Sequence, residues 1–412
     1  MAVGSVSAVR EANLGLVLRT VRELAPCSRA AVASATGLNK TTVSSLVADL
    51  MARGLVRETG LTSQQRVGRP GVLLALDDTS LAAIGLEVNV DYLAVVAVDL
   101  LDQELLNVHV PFDARAAGAE ASVRQIAVAL RELVSNPVLA GRRIVGVGVA
   151  VPGLIDAPSG TVTYAPNLGW RELTLRDLLT DLLAAPDLPV LVDNDANLGA
   201  IAEYRAGAFA GTPELVYVTG EVGIGAGVLA DGSLLRGASG FAGEIGHLPL
   251  DANGPECVCG RHGCVESLAG IDAILHRAVP DKIPDRPLSG EDITDLVTTA
   301  VERAEAGDVA AVGAMEGAGT WLGRGLATLV NITNPRLIVL GGYFVPMGPW
   351  LLERARSAAA EGSFAPDTGG CRIELSTLGL SAAARGGAAS MVYALDTGHL
   401  PLPVPRSPVS ER

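Results

Sequence analysis

Apolar residues recur at helical spacing near the start of the chain. They lie three or four positions apart, which is the period of one helix face, and Pro26 ends the pattern. These apolar positions are Leu14, Val17, Leu18, Val21 and Leu24. Ser28 can cap a short second helix, Gly37 supplies a tight turn, and Asn39 can cap a third helix. The pattern predicts three consecutive helices.

The third helix has one apolar and one polar face. The apolar face consists of Val43, Leu46, Val47 and Leu50. The polar face carries Lys40, Thr41, Thr42, Ser44 and Ser45. Strand-like runs at 53–56 and 72–76 follow, separated by a polar stretch. Three helices and a hairpin predict a winged helix-turn-helix.

The rest of the chain alternates between apolar strands and amphipathic helices. Strands are predicted within 82–100, with a turn at 89–91, and at 144–151, 190–192, 215–218 and 337–340. Helices are predicted at 122–134, 173–183 and 197–208. This alternation is typical of the α/β class. The Pro- and Ser-rich end of the chain predicts a disordered tail.

The net charge of −14 is unevenly distributed. Residues 1–75 hold nine Lys and Arg against four Asp and Glu, so this segment carries +5 and the remainder −19. A basic module on an acidic body suits DNA contact at one end, although a chance fluctuation in a short window would give the same count. The apolar runs are too short to span a bilayer, and charged residues interrupt the N-terminal segment. We therefore expect a cytoplasmic protein without a membrane partner.

The predicted winged module offers two sets of DNA contacts. Short polar side chains on the third helix can meet base edges and phosphates in a major groove, and an Arg between Gly and Pro can reach a narrow minor groove. The candidate contacts are Asn39, Lys40, Thr41, Thr42, Ser44 and Ser45 on the helix, and Arg66, Gly68 and Arg69 in the wing. The alternative is a docking domain with a solvated polar face.

One histidine and three cysteines form a metal-ligand pattern. His247, Cys257, Cys259 and Cys264 have the spacing H-x9-C-x-C-x4-C. Three thiolates and one imidazole complete the tetrahedral shell of a closed structural zinc site. Free buried thiols are the alternative, which is uncommon for three cysteines so close together in a reducing compartment. Zinc is the expected cofactor.

Several of these segments resemble a known family. Residues 39–44 and 68–70 resemble the recognition helix and wing of repressors in the ROK family (repressors, open reading frames, kinases), and 243–247 with 263–267 resemble the family signature. The resemblance runs from about residue 8 to residue 395. It implies an actin-like (ribonuclease H-like) two-lobed sugar-kinase fold behind the winged helix-turn-helix. The implied boundaries are a DNA-binding domain over 1–78, a kinase-like domain over 79–395 and a disordered tail over 396–412. Lobe one then covers about 79–195 plus the C-terminal helix, and lobe two about 196–375.

The same resemblance implies a sugar site. Its candidate contacts are Gly153, Asn167, Asn194, Asp195, Glu244, His247 and Glu266. Most of these residue types form the directional hydrogen bonds that sugars need. His247 would hold zinc with one ring nitrogen and face the sugar with the other. Ordinary interpretations stay open: Asn167 as a turn residue, 193–197 as a strand end and helix cap, and Glu266 on a solvated helix face.

The phosphate-binding turns depart from the family's pattern. The first turn is D-x-G-G-T in the family and Glu87-Val88-Asn89-Val90-Asp91 here. The second is G-T-G-x-G in the family, and Glu221 and Val222 stand here in the place of Gly-Thr. Carboxylates repel phosphate at short range in a poorly solvated cleft. We therefore expect that kinase activity is lost, with no catalytic residue and with Asp195, the family's base, as a vestige.

These features together predict a sugar-responsive transcriptional repressor of carbohydrate-utilisation genes. It would bind operator DNA as a homodimer or homotetramer. The alternative is an ATP-dependent sugar kinase with an accessory N-terminal module, which the retained Asn194 and Asp195 favour. The family implies xylose, glucose or N-acetylglucosamine as effector, and the contact residues meet hydroxyls common to all three.

Overall fold

The N-terminal module has the predicted three helices and hairpin strands. The computed structural model of the chain describes residues 6–61, 72–286, 288, 290–365 and 370–405. The module's elements are α1 (Val6–Leu24), β1 (Cys27–Ser28), α2 (Arg29–Thr36), α3 (Lys40–Ala52), β2 (Val56–Leu61) and β3 (Val72–Leu76). The strands form an antiparallel sheet of order β1-β3-β2. The predicted wing contacts Arg66, Gly68 and Arg69 lie outside the described residues.

Local hydrogen bonds fix the helix-turn-helix at the predicted residues. The Ser28 hydroxyl accepts a hydrogen bond from the Ala31 amide at 3.2 Å, and the Asn39 side chain accepts one from the Thr42 amide at 2.7 Å. Gly37 has a φ of 72°, in the left-handed region that glycine adopts without strain. The turn that orients α3 is therefore encoded within this short segment.

Lobe one is a five-stranded sheet with helices packed against it. Its elements are β4 (Leu81–Val88), β5 (Tyr92–Val98), β6 (Glu104–Pro111), α4 (Ala114–Val134), β7 (Arg143–Val151), β8 (Leu154–Asp156), β9 (Thr161–Ala165), β10 (Trp170–Leu173), α5 (Leu175–Leu183) and β11 (Val190–Asn194). The sheet order is β11-β7-β4-β5-β6, and β8, β9 and β10 form a separate small sheet. Every residue of β4 and β5 is buried, which explains why both strands are apolar except at Glu87.

Lobe two repeats the same sheet topology. Its elements are α6 (Asp195–Ala206), β12 (Leu215–Gly220), β13 (Ile224–Ala230), β14 (Ser233–Leu234), α7 (Val265–Ala269), α8 (Ile271–Ala278), α9 (Gly290–Glu305), α10 (Val309–Thr333), β15 (Leu337–Gly342), α11 (Gly348–Gly362) and β16 (Arg372–Leu375), followed by α12 (Ala382–Thr397). The sheet order is β14-β13-β12-β15-β16. In each lobe a three-stranded antiparallel meander is extended by two parallel strands. Within the described part of the chain, no helix combines the length and hydrophobicity that a membrane span needs.

Helices α6 and α12 join the two lobes. A Cβ added to Gly386 on α12 would lie 1.7 Å from the Leu198 carbonyl oxygen on α6. A Cβ added to Gly227 on β13 would lie 2.2 Å from the Ala196 carbonyl oxygen. Such distances are far below van der Waals contact, so glycine is required at both positions. The first residues of α6 are therefore held between lobe one and lobe two.

The N-terminal module packs on lobe one and on the end of the chain. Leu14, Leu18, Met391 and Leu402 belong to one continuous core. The disordered tail predicted from residue 396 is therefore wrong for residues 396–405: α12 continues to Thr397, and Leu402 is buried against the module. Apolar residues within the Pro-rich segment bury surface against the core, which offsets the entropy of ordering it.

Candidate functional site

A cleft between the lobes gathers all the predicted sugar contacts. It encloses a cavity of about 210 Å³. The predicted contacts among its lining residues are Gly153, Asn167, Asn194, Asp195, Glu244, His247 and Glu266. They come from both lobes, and Tyr164, Val222 and Ile224 add apolar surface to the same wall. The cleft thus combines several hydrogen-bonding groups with an apolar side, as a small polar ligand requires.

Asn194 holds the cleft together through its own hydrogen bonds. Its side-chain oxygen accepts from the Asn197 amide at 3.1 Å and so caps α6, while its side-chain nitrogen donates to the Gly153 carbonyl at 3.1 Å. Gly153 has a φ of 109°, and a Cβ there would lie 2.4 Å from the Tyr164 carbonyl oxygen. The helix-cap interpretation of Asn194 is therefore confirmed, and the residue also lines the cleft.

Asp195 is a buried carboxylate at the first turn of α6. Its side chain accepts a hydrogen bond from the Ala196 amide at 2.8 Å. Burial, with a smaller contribution from the neighbouring Asp193, raises the pKa of Asp195 to about 6. Asp193 is itself paired with Arg236, whose guanidinium nitrogens lie 2.6 and 3.0 Å from its two carboxylate oxygens. Asp195 can therefore accept a hydrogen bond from a hydroxyl group near neutral pH.

Two glutamates complete the polar wall of the cleft. Glu266 accepts a hydrogen bond from the Ile224 amide at 2.9 Å, which links α7 to the start of β13. Glu244 also lines the cleft, with part of its side chain exposed. Partial burial and the carboxylates of Asp195 and Glu266 raise the pKa of Glu244 to about 7. A ligand rich in hydroxyl donors would compensate this crowding of acceptors.

The predicted metal ligands lie together beside the cleft. The ligand atoms of His247, Cys257, Cys259 and Cys264 are all within 4.8 Å of one another. The Cys257 sulfur is 3.6 Å from His247 Nδ1, and the sulfurs of Cys259 and Cys264 are 3.7 Å apart. Ligands at zinc's usual bond lengths would be separated by about 3.6 to 3.8 Å along the edges of a tetrahedron. The four residues therefore fit a tetrahedral metal ion.

The loop that carries the cysteines closes tightly. Gly263 has a φ of 61°, and a Cβ there would lie 1.8 Å from the Asp251 carbonyl oxygen. His247 presents Nδ1 to the cysteines and also lines the cleft, so one residue belongs to both sites. His262 bonds instead to the Gly254 carbonyl and is not one of the four clustered ligands.

The two segments predicted to correspond to the family's phosphate turns meet in a buried polar network. The Asn89 side-chain nitrogen donates to Glu221 and, at 3.4 Å, to Glu87. The Tyr92 hydroxyl lies 3.1 Å from Glu87 and 3.2 Å from Glu221, and Thr219 donates to Glu221 at 3.1 Å. Glu87 and Glu221 are almost fully buried. The network therefore joins the turn of lobe one to that of lobe two.

This network holds protons that exposed carboxylates would release. Burial, together with Glu221 and Asp195, raises the pKa of Glu87 well above its ordinary value, and one oxygen of Glu87 has no hydrogen-bond partner among the described residues. Burial, followed by Asp195 and Asp91, raises the pKa of Glu221 to about 8. The desolvation that keeps these groups neutral would make a neighbouring phosphate costly, so desolvation replaces the charge repulsion expected from the sequence as the obstacle to phosphate.

The predicted DNA-reading face of α3 is open to solvent. Lys40, Thr41, Ser44 and Ser45 are exposed and Thr42 is half-buried, while the opposite face of the helix is fully buried. Asn39 is exposed but its oxygen is engaged as the helix cap. Apart from that of Lys40, the exposed side chains are short, so a DNA groove could approach the helix closely.

The fold and the cleft define a sugar-kinase-like body that carries a helix-turn-helix. The chain belongs to the ROK family: the ROK family model matches residues 83–394, and that of the IclR helix-turn-helix domain matches residues 13–60.

Relatives of both kinds, regulators and kinases, are similar to this chain. A xylose repressor from Caldicellulosiruptor bescii is 32% identical over 385 residues, covering 91% of this chain and 94% of the repressor. The crystal structure of a ROK family transcriptional regulator, a homologue of the E. coli MLC protein, aligns with a TM-score of 0.78 at 24% identity over 95% of this chain and 97% of that one, which shows the shared fold. A ROK family glucokinase from Streptomyces griseus, solved with glucose and AMPPNP, aligns with a TM-score of 0.61 at 28% identity over 74% of this chain and 98% of that one.

Sequence reasoning missed the residues that complete these sites. Tyr92, Tyr343 and Arg236 were not singled out, yet Tyr92 bridges the two glutamates, Tyr343 donates to Asp91 at 3.2 Å and Arg236 neutralises Asp193. All of these partners except Glu87, which is five positions from Tyr92, are distant in sequence, so no local pattern could have found them. Only the departure of the turns from the family's glycines indicated that the region had changed.

We predict that Glu221→Gln stabilises the protein at pH 8. The folded protein holds the Glu221 proton more tightly than the unfolded chain, so this group lowers stability as the pH rises from its ordinary pKa of 4.5 to about 8. Glutamine has nearly the same shape as glutamate but carries no ionisable group. The melting temperature should rise by about 2 °C or more at pH 8, and the difference should shrink at pH 5.

Glu120→Gln is the control, because the Glu120 side chain is 89% exposed and its replacement should have the same small effect at both pH values. A Glu221→Gln protein whose melting temperature differs from wild type equally at pH 5 and pH 8 would contradict the assignment.

Proposed function

We propose that this protein is a sugar-responsive transcriptional repressor of carbohydrate-utilisation genes. One observation carries the proposal, which is the combination of an exposed, polar α3 surface with a body that has a small cleft. The predicted sugar contacts line this cleft, and buried glutamates occupy the segments that correspond to the phosphate turns. The similarity to a xylose repressor over more than nine-tenths of both chains supports the same function.

The proposed effector is a monosaccharide. The cavity of about 210 Å³ matches one pentose or hexose better than a longer saccharide. Asp195, Glu244 and Glu266 would accept hydrogen bonds from sugar hydroxyls, and Asn167 and His247 would add groups able to donate. The apolar side formed by Val222 and Ile224 suits the C–H face of a sugar ring.

The proposed body senses the sugar without phosphorylating it. Phosphoryl transfer needs donors and cations around the phosphate to stabilise the charge of the transition state. Here the side chain of Asn89 donates hydrogen bonds to Glu87 and Glu221 in that region. Asp195 would then accept a hydrogen bond from a sugar hydroxyl group without removing its proton.

We further propose that the cluster of one histidine and three cysteines holds a structural zinc ion. Zinc would fix the loop at 257–264 and the ring of His247, and so shape one wall of the cleft. In this role the zinc ion would hold the loop and the imidazole ring in place and would take no part in a reaction.

The DNA-bound form would be a homodimer or homotetramer in the cytoplasm. Two-fold operators place two recognition helices one helical turn of DNA apart, so each subunit would supply one α3. Lys40 would contact phosphate, and the short side chains Thr41 and Ser45 would face base edges.

Binding to a fragment of the promoter of its own or an adjacent gene tests the repressor function. Fluorescence anisotropy should give salt-dependent binding that one of D-xylose, D-glucose or N-acetylglucosamine weakens by about tenfold. Lys40→Ala should weaken binding several-fold and reduce its salt dependence. The proposal fails if the fragments bind equally well with and without each of the sugars, or do not bind at all.

An assay of ADP release tests the loss of kinase activity. With ATP and a panel of hexoses, pentoses and amino sugars, the wild-type protein should give no turnover above a protein-free blank. Sugar-dependent turnover that disappears in Asp195→Asn would assign the protein as a kinase instead.

Metal analysis of the purified protein tests the zinc centre. We expect about one zinc per chain, and we expect Cys259→Ser to lose it together with several degrees of melting temperature. Cys371→Ser is the matched control, because Cys371 lies outside the cluster. Full zinc content in Cys259→Ser would refute the site.

A further inference from the structure

Helix α6 runs from the effector cleft to the junction with the N-terminal module. Asp195, its first residue, lines the cleft, and Arg205 lies in its last turn. Ten residues at the helical rise place these two about 15 Å apart along the axis. One helix therefore runs from the proposed effector to Asp396, the residue that also contacts the DNA-binding module.

Two buried carboxylates, those of Asp102 and Asp396, contact Arg205 at the far end of α6. The Arg205 guanidinium forms hydrogen bonds of 2.8 and 3.0 Å to Asp102 and one of 3.4 Å to Asp396, near the end of α12. The Asp396 side chain is only 7% exposed and that of Arg205 11%. A pair so shielded from water is screened weakly by salt and depends strongly on geometry.

The Asp396 carboxylate also holds the DNA-binding module. Arg22, in the last turn of α1, lies 2.9 Å from the Asp396 carboxylate through its Nε atom. Arg22 also donates to the Leu100 carbonyl at 2.7 Å, and Arg19 donates to the Asp396 carbonyl at 2.7 Å. Asp396 is thus shared between an arginine of the body and an arginine of the module.

The packing of α6 lets a displacement at one end reach the other. Its backbone touches Gly386 of α12 and Gly227 of β13, where even a Cβ would not fit. Close-packed backbones have little room to absorb a shift by side-chain rearrangement. We therefore expect a change in the angle between the lobes to shift α6 as a whole, and with it Arg205 relative to Asp396.

We propose that Asp396 couples the effector cleft to the DNA-binding module by exchanging its contacts between Arg205 and Arg22 as α6 moves. This coupling rests on the proposed function and assigns its route. With α6 in the position described here, Asp396 contacts both arginines and holds α1 against α12. When closure of the lobes on the sugar displaces Arg205, the Asp396 carboxylate keeps its contact with only one of the two arginines. The position of α1 on the body then changes.

The route differs from a coupling through the metal loop. The contacts of Arg19 and Arg22 with the body lie at the end of α12 and at the turn after β5. Arg53 adds bonds to the Leu402 and Pro403 carbonyls in the segment that follows α12. None of these contacts involves the loop at 257–264.

The variant Arg22→Met separates this coupling from binding itself. It removes the charge but keeps an apolar stem, and Asp396 retains Arg205, so no buried charge is left unpaired. Arg10→Met is the matched control on the same helix, because Arg10 pairs with Asp49 inside the module. Arg22→Lys restores a positive charge and should rescue in part.

The full-length chain is titrated with its promoter fragment, with and without whichever of D-xylose, D-glucose and N-acetylglucosamine raises the melting temperature most. We expect the sugar to weaken DNA binding by about tenfold in wild type and Arg10→Met, and by less than about threefold in Arg22→Met. The sugar-induced rise in melting temperature should persist in Arg22→Met, which shows that the cleft still binds. Asp396→Asn provides the same test should Arg22→Met not fold.

A wild-type sugar response in Arg22→Met, or in Asp396→Asn in its place, overturns the coupling and leaves the repressor function intact. A wild-type protein that does not bind the fragment, or does not respond to the sugar, overturns the proposed function itself. The two failures are distinguished by the wild-type titration.

Discussion

The close packing of α6 between the two lobes is the constraint on which the rest of the structure depends. Its first turn presents Asp195 to the cleft, and Gly386 and Gly227 allow the backbones of both lobes to reach it. Because the helix is capped by Asn194, which also bonds to Gly153, the start of α6 and the neighbouring loop move as a unit. The cleft can therefore change shape mainly by a movement of one lobe against the other.

The buried network of glutamates occupies the region where the family's phosphate turns carry small residues. In place of small residues that would leave room for phosphate, Glu87, Asn89 and Glu221 occupy the region and bond to one another. Tyr92 bridges the two carboxyl groups. The rest of the cleft is lined by the side chains of Asn194, Asp195, Glu244 and Glu266, whose polar groups face the cavity.

Local features of the fold could be predicted from the sequence, and long-range pairs could not. Ser28, Gly37 and Asn39 act within four residues of their own positions, so the helix-turn-helix was readable from spacing alone. The contacts of the cleft were found because the resemblance to a family supplied residues that are distant in sequence.

Pairs without such a guide were missed. The Arg205–Asp102 and Arg22–Asp396 ion pairs join residues more than a hundred positions apart, and single acidic or basic residues on helices usually face solvent. The prediction of a disordered tail rested on its content of proline and serine alone. Composition does not show that Leu402 packs against the N-terminal module, which orders this segment.

The measurement that tests the account most directly is calorimetric titration of the effector sugar into the free protein and into its complex with promoter DNA. Linkage requires that DNA weaken sugar binding by the same factor by which sugar weakens DNA binding. The account predicts a sugar dissociation constant about tenfold higher in the complex. Equal sugar affinity in the two titrations would contradict it.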